Sequence, residues 1–110
     1  MPDHPKPRVT IVITQRDRVS PMPEALASLF DNTPEAFDLI YVTGRLPRRA
    51  RTWLNEQAQK RGFRHIEAGR PLTPAESRNA GLEHARGEYV VFAENDVVFK
   101  RGWLSAMVAC

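Results

Sequence analysis

Four short apolar stretches, rich in β-branched or aromatic residues, alternate along the chain with segments whose apolar residues recur at helical spacing. They cover residues 8–14, 37–43, 63–68 and 88–93. The first, RVTIVIT, is so apolar that it predicts a strand buried on both faces, as in a parallel sheet. This alternation predicts right-handed crossovers and an α/β fold with the order β-α-β-α-β-α-β-α.

Capping signals locate the helices between these strands. Ser20 is the predicted N-cap of the first helix, and Pro47 and Gly62 are expected to open and close the second. The sequence TPAE, residues 73–76, is a capping box that predicts the start of the third helix, which is expected to run to about residue 86. Gly81 lies inside this helix, where close packing on the sheet is the expected reason for a glycine.

Polar residues directly follow three of the predicted strands. They are Thr14 to Arg18, Thr43 to Arg45, and Glu94 to Asp96. Because ligands of open parallel sheets bind beyond the carboxyl ends of the strands, these three segments predict one crevice. The last segment carries hard oxygen ligands through which Mg²⁺ or Mn²⁺ could bridge a carboxylate to a diphosphate, although the same residue types in isolation are typical of a turn.

Composition narrows the class of protein only moderately. The chain has 110 residues, 42% hydrophobic and 26% charged, which is ordinary for a globular domain and excludes a fibrous or disordered chain. We expect an irregular lead-in over residues 1–7 and one domain over residues 8–110. The lone Cys110 excludes an intrachain disulfide, and the absence of a long apolar run or signal core predicts a cytoplasmic location.

The net charge of +3 mildly favours anionic partners without choosing among them. Four arginines near the start of the second helix are Arg45, Arg48, Arg49 and Arg51. No aromatic residues interleave with them, so a solvated surface is the favoured interpretation and nucleic acid is not an expected partner. The histidines, His4, His65 and His84, lack metal-ligand spacing, and no chemistry is assigned to them.

Three spaced elements occur in order within ESRNAGLEHARGEYVVFAENDVVFKRGWL, residues 76–104. They are Arg78-Asn79-Ala80-Gly81, Ala85-Arg86-Gly87-Glu88-Tyr89 and Glu94-Asn95-Asp96. This pattern resembles the family 2 glycosyltransferases of the GT-A fold, whose signature runs A-R-N-x-G, A-x-G-E-Y and then a strand ending in D-x-D. The resemblance covers about residues 8–110 and implies the N-terminal, nucleotide-sugar-binding part of such an enzyme, with an incomplete parallel sheet.

The resemblance implies roles for five residues. Asp96 would coordinate a divalent metal, Mn or Mg, that holds the nucleotide diphosphate, and Asn95 would contact the ribose or support the site. Glu94 replaces the first acid of the motif and is longer by one methylene. Thr14 would reach the nucleotide unless it is simply an end-of-strand threonine. Arg78 could donate to a phosphate, with a solvated helix face as the alternative.

The chain departs from the family pattern after the second strand. The family carries D-D-G-S there, with a carboxylate that recognises the base, whereas this chain reads Thr43-Gly44-Arg45. Uridine is therefore not indicated as the base. The family domain also continues beyond D-x-D, so the catalytic base is expected beyond residue 110.

The implied reaction is transfer of a sugar from a nucleotide-sugar donor to the hydroxyl of a glycan, lipid or small-molecule acceptor. A lipid acceptor would leave membrane association open. We expect the chain as given to bind nucleotide weakly and to lack robust activity. The alternatives are a non-catalytic nucleotide-binding module and a structural module that dimerises, so a homo-oligomer is also considered.

Overall fold

A computed structural model of the chain describes residues 9–15 and 19–109, so the predicted lead-in lies outside the described residues. Within them, strands and helices alternate without exception. In chain order they are β1 (Val9–Thr14), α1 (Met22–Asp31), β2 (Phe37–Thr43), α2 (Arg48–Arg61), β3 (Arg64–Glu67), α3 (Pro74–Glu83), β4 (Tyr89–Glu94) and α4 (Trp103–Ala109). All strand pairs are parallel, in the order β3-β2-β1-β4. The predicted α/β fold and element order are confirmed.

The first strand lies inside the sheet, between β2 and β4. Val9 is opposite Phe37 on one side and Tyr89 on the other. Every residue of β1 except Thr14 is buried, which confirms the prediction of a strand covered on both faces. Since all four strands run the same way, the loops that follow them leave from the same edge of the sheet.

Helices cover both faces of the sheet, but unequally. One face carries α1, α2 and α4, and its buried core consists of Val9, Ile11, Ile13, Met22, Leu26, Leu29, Leu39, Tyr41, Leu46, Leu54, Phe99 and Leu104. Within the described residues only α3 packs on the other face, whose buried core is Val12, Ile40 and Val42. The chain steps outward from β1 to β3 and then back to β4, so crossovers of one hand place α3 opposite α1 and α2.

Close backbone approach holds α3 on its face of the sheet. The helix buries Ser77 and Gly81, neither of which has a large apolar side chain. A Cβ atom added to Gly81 would lie 2.3 Å from Val12 Cγ1, well inside van der Waals contact. The structure therefore confirms that Gly81 allows the helix to pack tightly on β1.

The start of α1 differs from the prediction. Its N-cap is Pro21, which makes no side-chain capping bond, so the assignment of Ser20 was wrong. With Ser20 as N-cap, its hydroxyl would accept from the second or third helical position. Pro23, at the third, has no N–H group, and the N–H of Met22, at the second, is bonded elsewhere. The chain instead enters the helix through a turn in which Met22 N donates to Val19 O (3.1 Å).

The other three helix boundaries signalled by the sequence are confirmed. Pro47 is the N-cap of α2, Gly62 ends that helix in the left-handed conformation (φ 75°), and Thr73 and Glu76 form both bonds of the capping box of α3. The third helix ends at Glu83, three residues before its predicted end. His84 N donates to Gly81 O (3.1 Å), an i to i−3 bond that tightens the last turn and ends the helix.

The edge strand β4 and helix α4 present an apolar surface. Exposed apolar side chains here are Tyr89, Phe92, Val97, Val98 and Met107. Some of them line an open groove of about 400 Å³. The predicted homo-oligomer stays a prediction.

Across residues 9–15 and 19–109, no helix combines the length and apolar character required to cross a membrane.

Candidate functional site

The carboxyl ends of β1 and β4 meet at the centre of the candidate site. In the parallel register of these strands, Thr14 lies opposite Glu94. The next residue, Asn95, continues the pairing because its backbone N–H donates to Thr14 O (2.9 Å). The structure thus brings together two segments that lie eighty residues apart in the sequence. Residues 16–18, also predicted for this crevice, lie outside the described residues.

The segment from Glu94 to Asp96 is a tight turn at the end of β4. Val97 N donates to Glu94 O (3.2 Å), which closes the turn. Asn95 is only 1% exposed, Glu94 is half-buried and Asp96 is exposed. The turn therefore directs the amide of Asn95 into the protein and leaves Asp96 open to a ligand, so the turn and site interpretations of this segment are compatible.

The donor set at this turn can be tested against the requirements of a divalent metal. Among the described residues, no three His, Cys, Asp or Glu side chains converge on one point. Mg²⁺ and similar hard cations are commonly held by one or two carboxylates together with substrate phosphates, rather than by an all-protein cage. The pair Glu94 and Asp96 fits the first arrangement and does not fit the second.

Arg78 lies apart from the turn. It is exposed on α3, the helix that packs across β1 and β2. Among the described residues, no hydrogen bond or ion pair holds its guanidinium. Its predicted contact with a phosphate stays a prediction, and so does the predicted contact of Thr14 with the nucleotide.

A hydrogen-bonded chain that the sequence did not reveal lies beneath the loop after β2. His65 Nδ1 is 2.6 Å from Asn55 Oδ1, and His65 Nε2 is 2.8 Å from the hydroxyl of Thr43, which is fully buried. Because an amide oxygen only accepts, Nδ1 donates to Asn55 and Nε2 accepts from Thr43. The neutral imidazole therefore satisfies every partner and ties β3 to β2 and α2.

Burial lowers the pKa of His65 below its ordinary value of 6.5, and the nearby charge of Glu67 opposes this shift. Below pH 6.5 the unfolded chain thus takes up a proton more readily than the folded chain. The stability associated with neutral His65 is complete above that pH and is lost as the pH falls through the lowered pKa. We expect the temperature at the midpoint of thermal unfolding to decrease as the pH is lowered from about 7.5 to about 5.5.

Thermal unfolding of His65→Gln over the same pH range checks this expectation. The glutamine keeps an amide that can donate and accept but does not titrate, so its midpoint should change less with pH than that of the native chain. His84→Gln is the matched control, since His84 bonds locally to Ala80 O within its own helical turn (3.0 Å). Equal pH dependence in the native chain and His65→Gln would contradict the assignment.

Comparison with known proteins gives a family and a fold. The family model described as glycosyl transferase family 2 matches residues 10–109. No curated protein matches the sequence significantly.

Several solved structures share this fold at low sequence identity. The mannosyltransferase PcManGT from Pyrobaculum calidifontis, solved in complex with GDP-Man and Mn²⁺, superimposes with a TM-score of 0.81 at 20% identity, over 94% of this chain and 32% of that one. S. aureus TarS 1-349 in complex with UDP-GlcNAc gives a TM-score of 0.76 at 18% identity, over 93% of this chain and 30% of that one. The chain therefore spans about a third of the length of these structures. At such identities the likeness shows the shared fold.

Proposed function

The chain belongs to glycosyl transferase family 2, and from this premise we propose that it binds the nucleotide-sugar donor of a sugar-transfer reaction at the carboxyl ends of β1 and β4. The observation that carries the proposal is the junction of these strands, where Asn95 N donates to Thr14 O and Asp96 is left exposed. The relatives' complexes with GDP-Man and UDP-GlcNAc support a donor of this class.

In the proposed site the buried residue of the turn has a structural role, and its two acids bind the metal. Asn95, at 1% exposure, holds the turn in place from inside. Asp96 and Glu94 would hold a divalent metal, Mn²⁺ or Mg²⁺, together with the diphosphate. When bound, the cation supplies positive charge that offsets the charge developing on the departing diphosphate. The presence of Mn²⁺ in the PcManGT complex supports this assignment.

Two further residues complete the proposed donor site. Thr14 is the last residue of β1 and lies opposite Glu94, where its hydroxyl can contact the nucleotide. Arg78 is exposed and unpaired within the described part of the chain, so its long side chain is available to donate to a phosphate. None of the described residues is assigned as the base that takes the proton from the acceptor hydroxyl.

Calorimetric titration with nucleoside diphosphates, in the presence and absence of Mn²⁺, tests this proposal. We expect binding that strengthens when Mn²⁺ is added, because carboxylates and diphosphate repel each other without a cation between them. If no nucleoside diphosphate binds under either condition, the donor-site proposal is wrong.

A second candidate function is a nucleotide-binding module without catalytic activity. The absence of an acid from Thr43-Gly44-Arg45, where the family pattern carries one, favours it. Incubation of the chain with a nucleotide-sugar and simple glycan or lipid acceptors separates the two candidates. Sugar transfer would support the enzyme, whereas metal-dependent binding without transfer would support the module.

A further inference from the structure

Three loops beyond the strands are joined into one surface, which we call the three-loop platform: Gln15, Thr43–Arg45 and Ala68–Arg70. The pairing of the sheet continues into it, because Gln15 N donates to Val42 O (3.2 Å), Ala68 N to Thr43 O (3.0 Å) and Gly69 N to Gly44 O (2.7 Å). The platform lies beyond β1, β2 and β3, on the side of the crevice away from the turn that follows β4. The loops thus form a preorganised surface rather than independent segments.

Gln15 is the side chain that joins the first loop to the second. Its Oε1 accepts from Gly44 N (2.8 Å) and its Nε2 donates to Arg45 O (3.0 Å). Both ends of the amide therefore contact the backbone of the loop after β2. These two bonds hold the backbone on both sides of the Arg45 Cα atom, and so they restrict the direction in which its side chain leaves the loop.

The second and third loops approach so closely that only a glycine fits between them. A Cβ atom on Gly44 would lie 2.6 Å from the backbone oxygen of Arg70. Arg45, the next residue, is exposed, and its Nη2 is 3.5 Å from Gly69 O, a long hydrogen bond. Among the described residues, no carboxylate pairs with its guanidinium. Most of its donors are therefore open to a ligand.

Several acceptors of the platform are already engaged within the protein. The carbonyl oxygens of Thr43 and Gly44 accept from the third loop, and the hydroxyl of Thr43 is bonded to His65. Glu67, at the end of β3, lies 3.8 Å from Arg51 Nη1 and is directed to that charge. An edge of a ligand that presents adjacent acceptors therefore suits the open guanidinium of Arg45, whereas an edge that presents donors does not.

The position of the platform identifies which part of the donor it meets. In the proposed function, the diphosphate is held at the end of β4. The platform begins at β1 and centres on β2, two strand spacings or about 10 Å away. A nucleoside that extended from the diphosphate across these strand ends would bring its base to Arg45. Uracil presents an N3–H donor between its carbonyls. Guanine has N–H donors at N1 and N2, but its other edge presents O6 and N7, adjacent acceptors that match the fork of an arginine.

We infer that Arg45 is a specificity-determining residue that selects guanine over uracil as the base of the donor, with Gln15 as the residue that positions it. This inference rests on the proposed function, since it takes the diphosphate to lie at the turn after β4. It assigns the base by the chemistry of Arg45 and leaves the sugar and the acceptor open.

Titration of the 110-residue chain with GDP, UDP and ADP in the presence of Mn²⁺ tests the inference. We expect GDP to bind about tenfold more tightly than UDP or ADP, the discrimination typical of one bidentate arginine–guanine contact. Arg45→Lys keeps the charge but loses the planar fork, so the ratio of GDP to UDP affinity should fall to about one while UDP binding changes little. Arg49→Ala, which removes an exposed arginine of α2, is the matched control and should leave the ratio unchanged.

A variant of the positioning residue gives an independent readout. Gln15→Leu removes both bonds to the loop after β2, and we expect the GDP preference to weaken while metal-dependent binding persists. Circular dichroism identifies any loss of fold, in which case Gln15→Glu, which keeps the acceptor for Gly44 N, replaces it. A preference that survives in the folded Gln15 variant would overturn its positioning role.

The outcomes separate this inference from the proposed function. Metal-dependent binding of UDP as tight as that of GDP would overturn the inference and leave the donor site standing. A GDP preference that persists in Arg45→Lys would also overturn it. Failure of all three nucleotides to bind would remove the donor site, and the inference with it.

Discussion

Replacing Gly81 with alanine is expected to destabilise the chain, although alanine is the better helix former. The gain in helix propensity is about 1 kcal/mol, whereas forcing an extra carbon into a packed interior costs about 1–3 kcal/mol. Here the added Cβ would lie 2.3 Å from Val12 Cγ1, and Val12 is fully buried. Because the overlap is severe and Val12 has no room to move, the cost should lie in the upper part of that range, at about 2–3 kcal/mol. We expect a net loss of about 1–2 kcal/mol and a drop of several degrees in the thermal midpoint.

Two further variants show whether the clash with Val12 is the cause. In Gly81→Ala combined with Val12→Ala, the side chain that meets the new Cβ is shortened, so the two changes together should cost less than the sum of their separate effects. Glu83→Ala, an exposed position of the same helix, should change the midpoint little. A gain in stability for Gly81→Ala would show that α3 does not approach the sheet this closely.

Asp96→Asn is expected to abolish the effect of Mn²⁺ on nucleotide binding. The substitution keeps the size of the side chain but removes the charge that would hold the cation. An interaction with a charged group is worth about 1.5–3 kcal/mol, so the affinity measured with Mn²⁺ should fall by about tenfold to a hundredfold. The affinity measured without Mn²⁺ should stay the same or rise, because one negative charge near the diphosphate has been removed.

The exposed position of Asp96 makes this result interpretable. Its side chain does not belong to the buried core, so Asp96→Asn should unfold at the same temperature as the native chain. Asp31→Asn, an exposed acid at the end of α1, is the matched control and should retain the response to Mn²⁺. If Asp96→Asn kept that response, the metal would have to be assigned to other residues.

Much of the fold could be predicted because its determinants are local. The apolar run of β1, the glycine that ends α2 and the capping box of α3 each act over a few residues, and all three are confirmed. The assignment of Ser20 failed although its signal is also local. It used the preference of serine for N-caps and overlooked that Pro23 removes one of the two N–H groups that such a cap can use.

The candidate site could be predicted only where the topology of the sheet determines it. Parallel strands bring their carboxyl ends to one edge, so the proximity of Thr14 and Glu94 followed from the element order. The bonds of Gln15 to the loop after β2 join residues about thirty positions apart and depend on side-chain direction, which no sequence period reports. The contacts of His65 with Thr43 and Asn55 also depend on side-chain direction, and so they could not be predicted from the sequence.

The unequal covering of the two faces of the sheet has a consequence for the order in which the molecule opens. The helix α3 is stabilised at its start by a capping box, and it approaches the sheet closely at Gly81. It buries little apolar surface of its own. Local opening requires least free energy where apolar burial is smallest, so α3 should detach from β1 and β2 more often than the helices on the other face. Arg78 travels with this helix. Amide protons of α3 would therefore exchange with solvent early, and a phosphate held by Arg78 would slow their exchange.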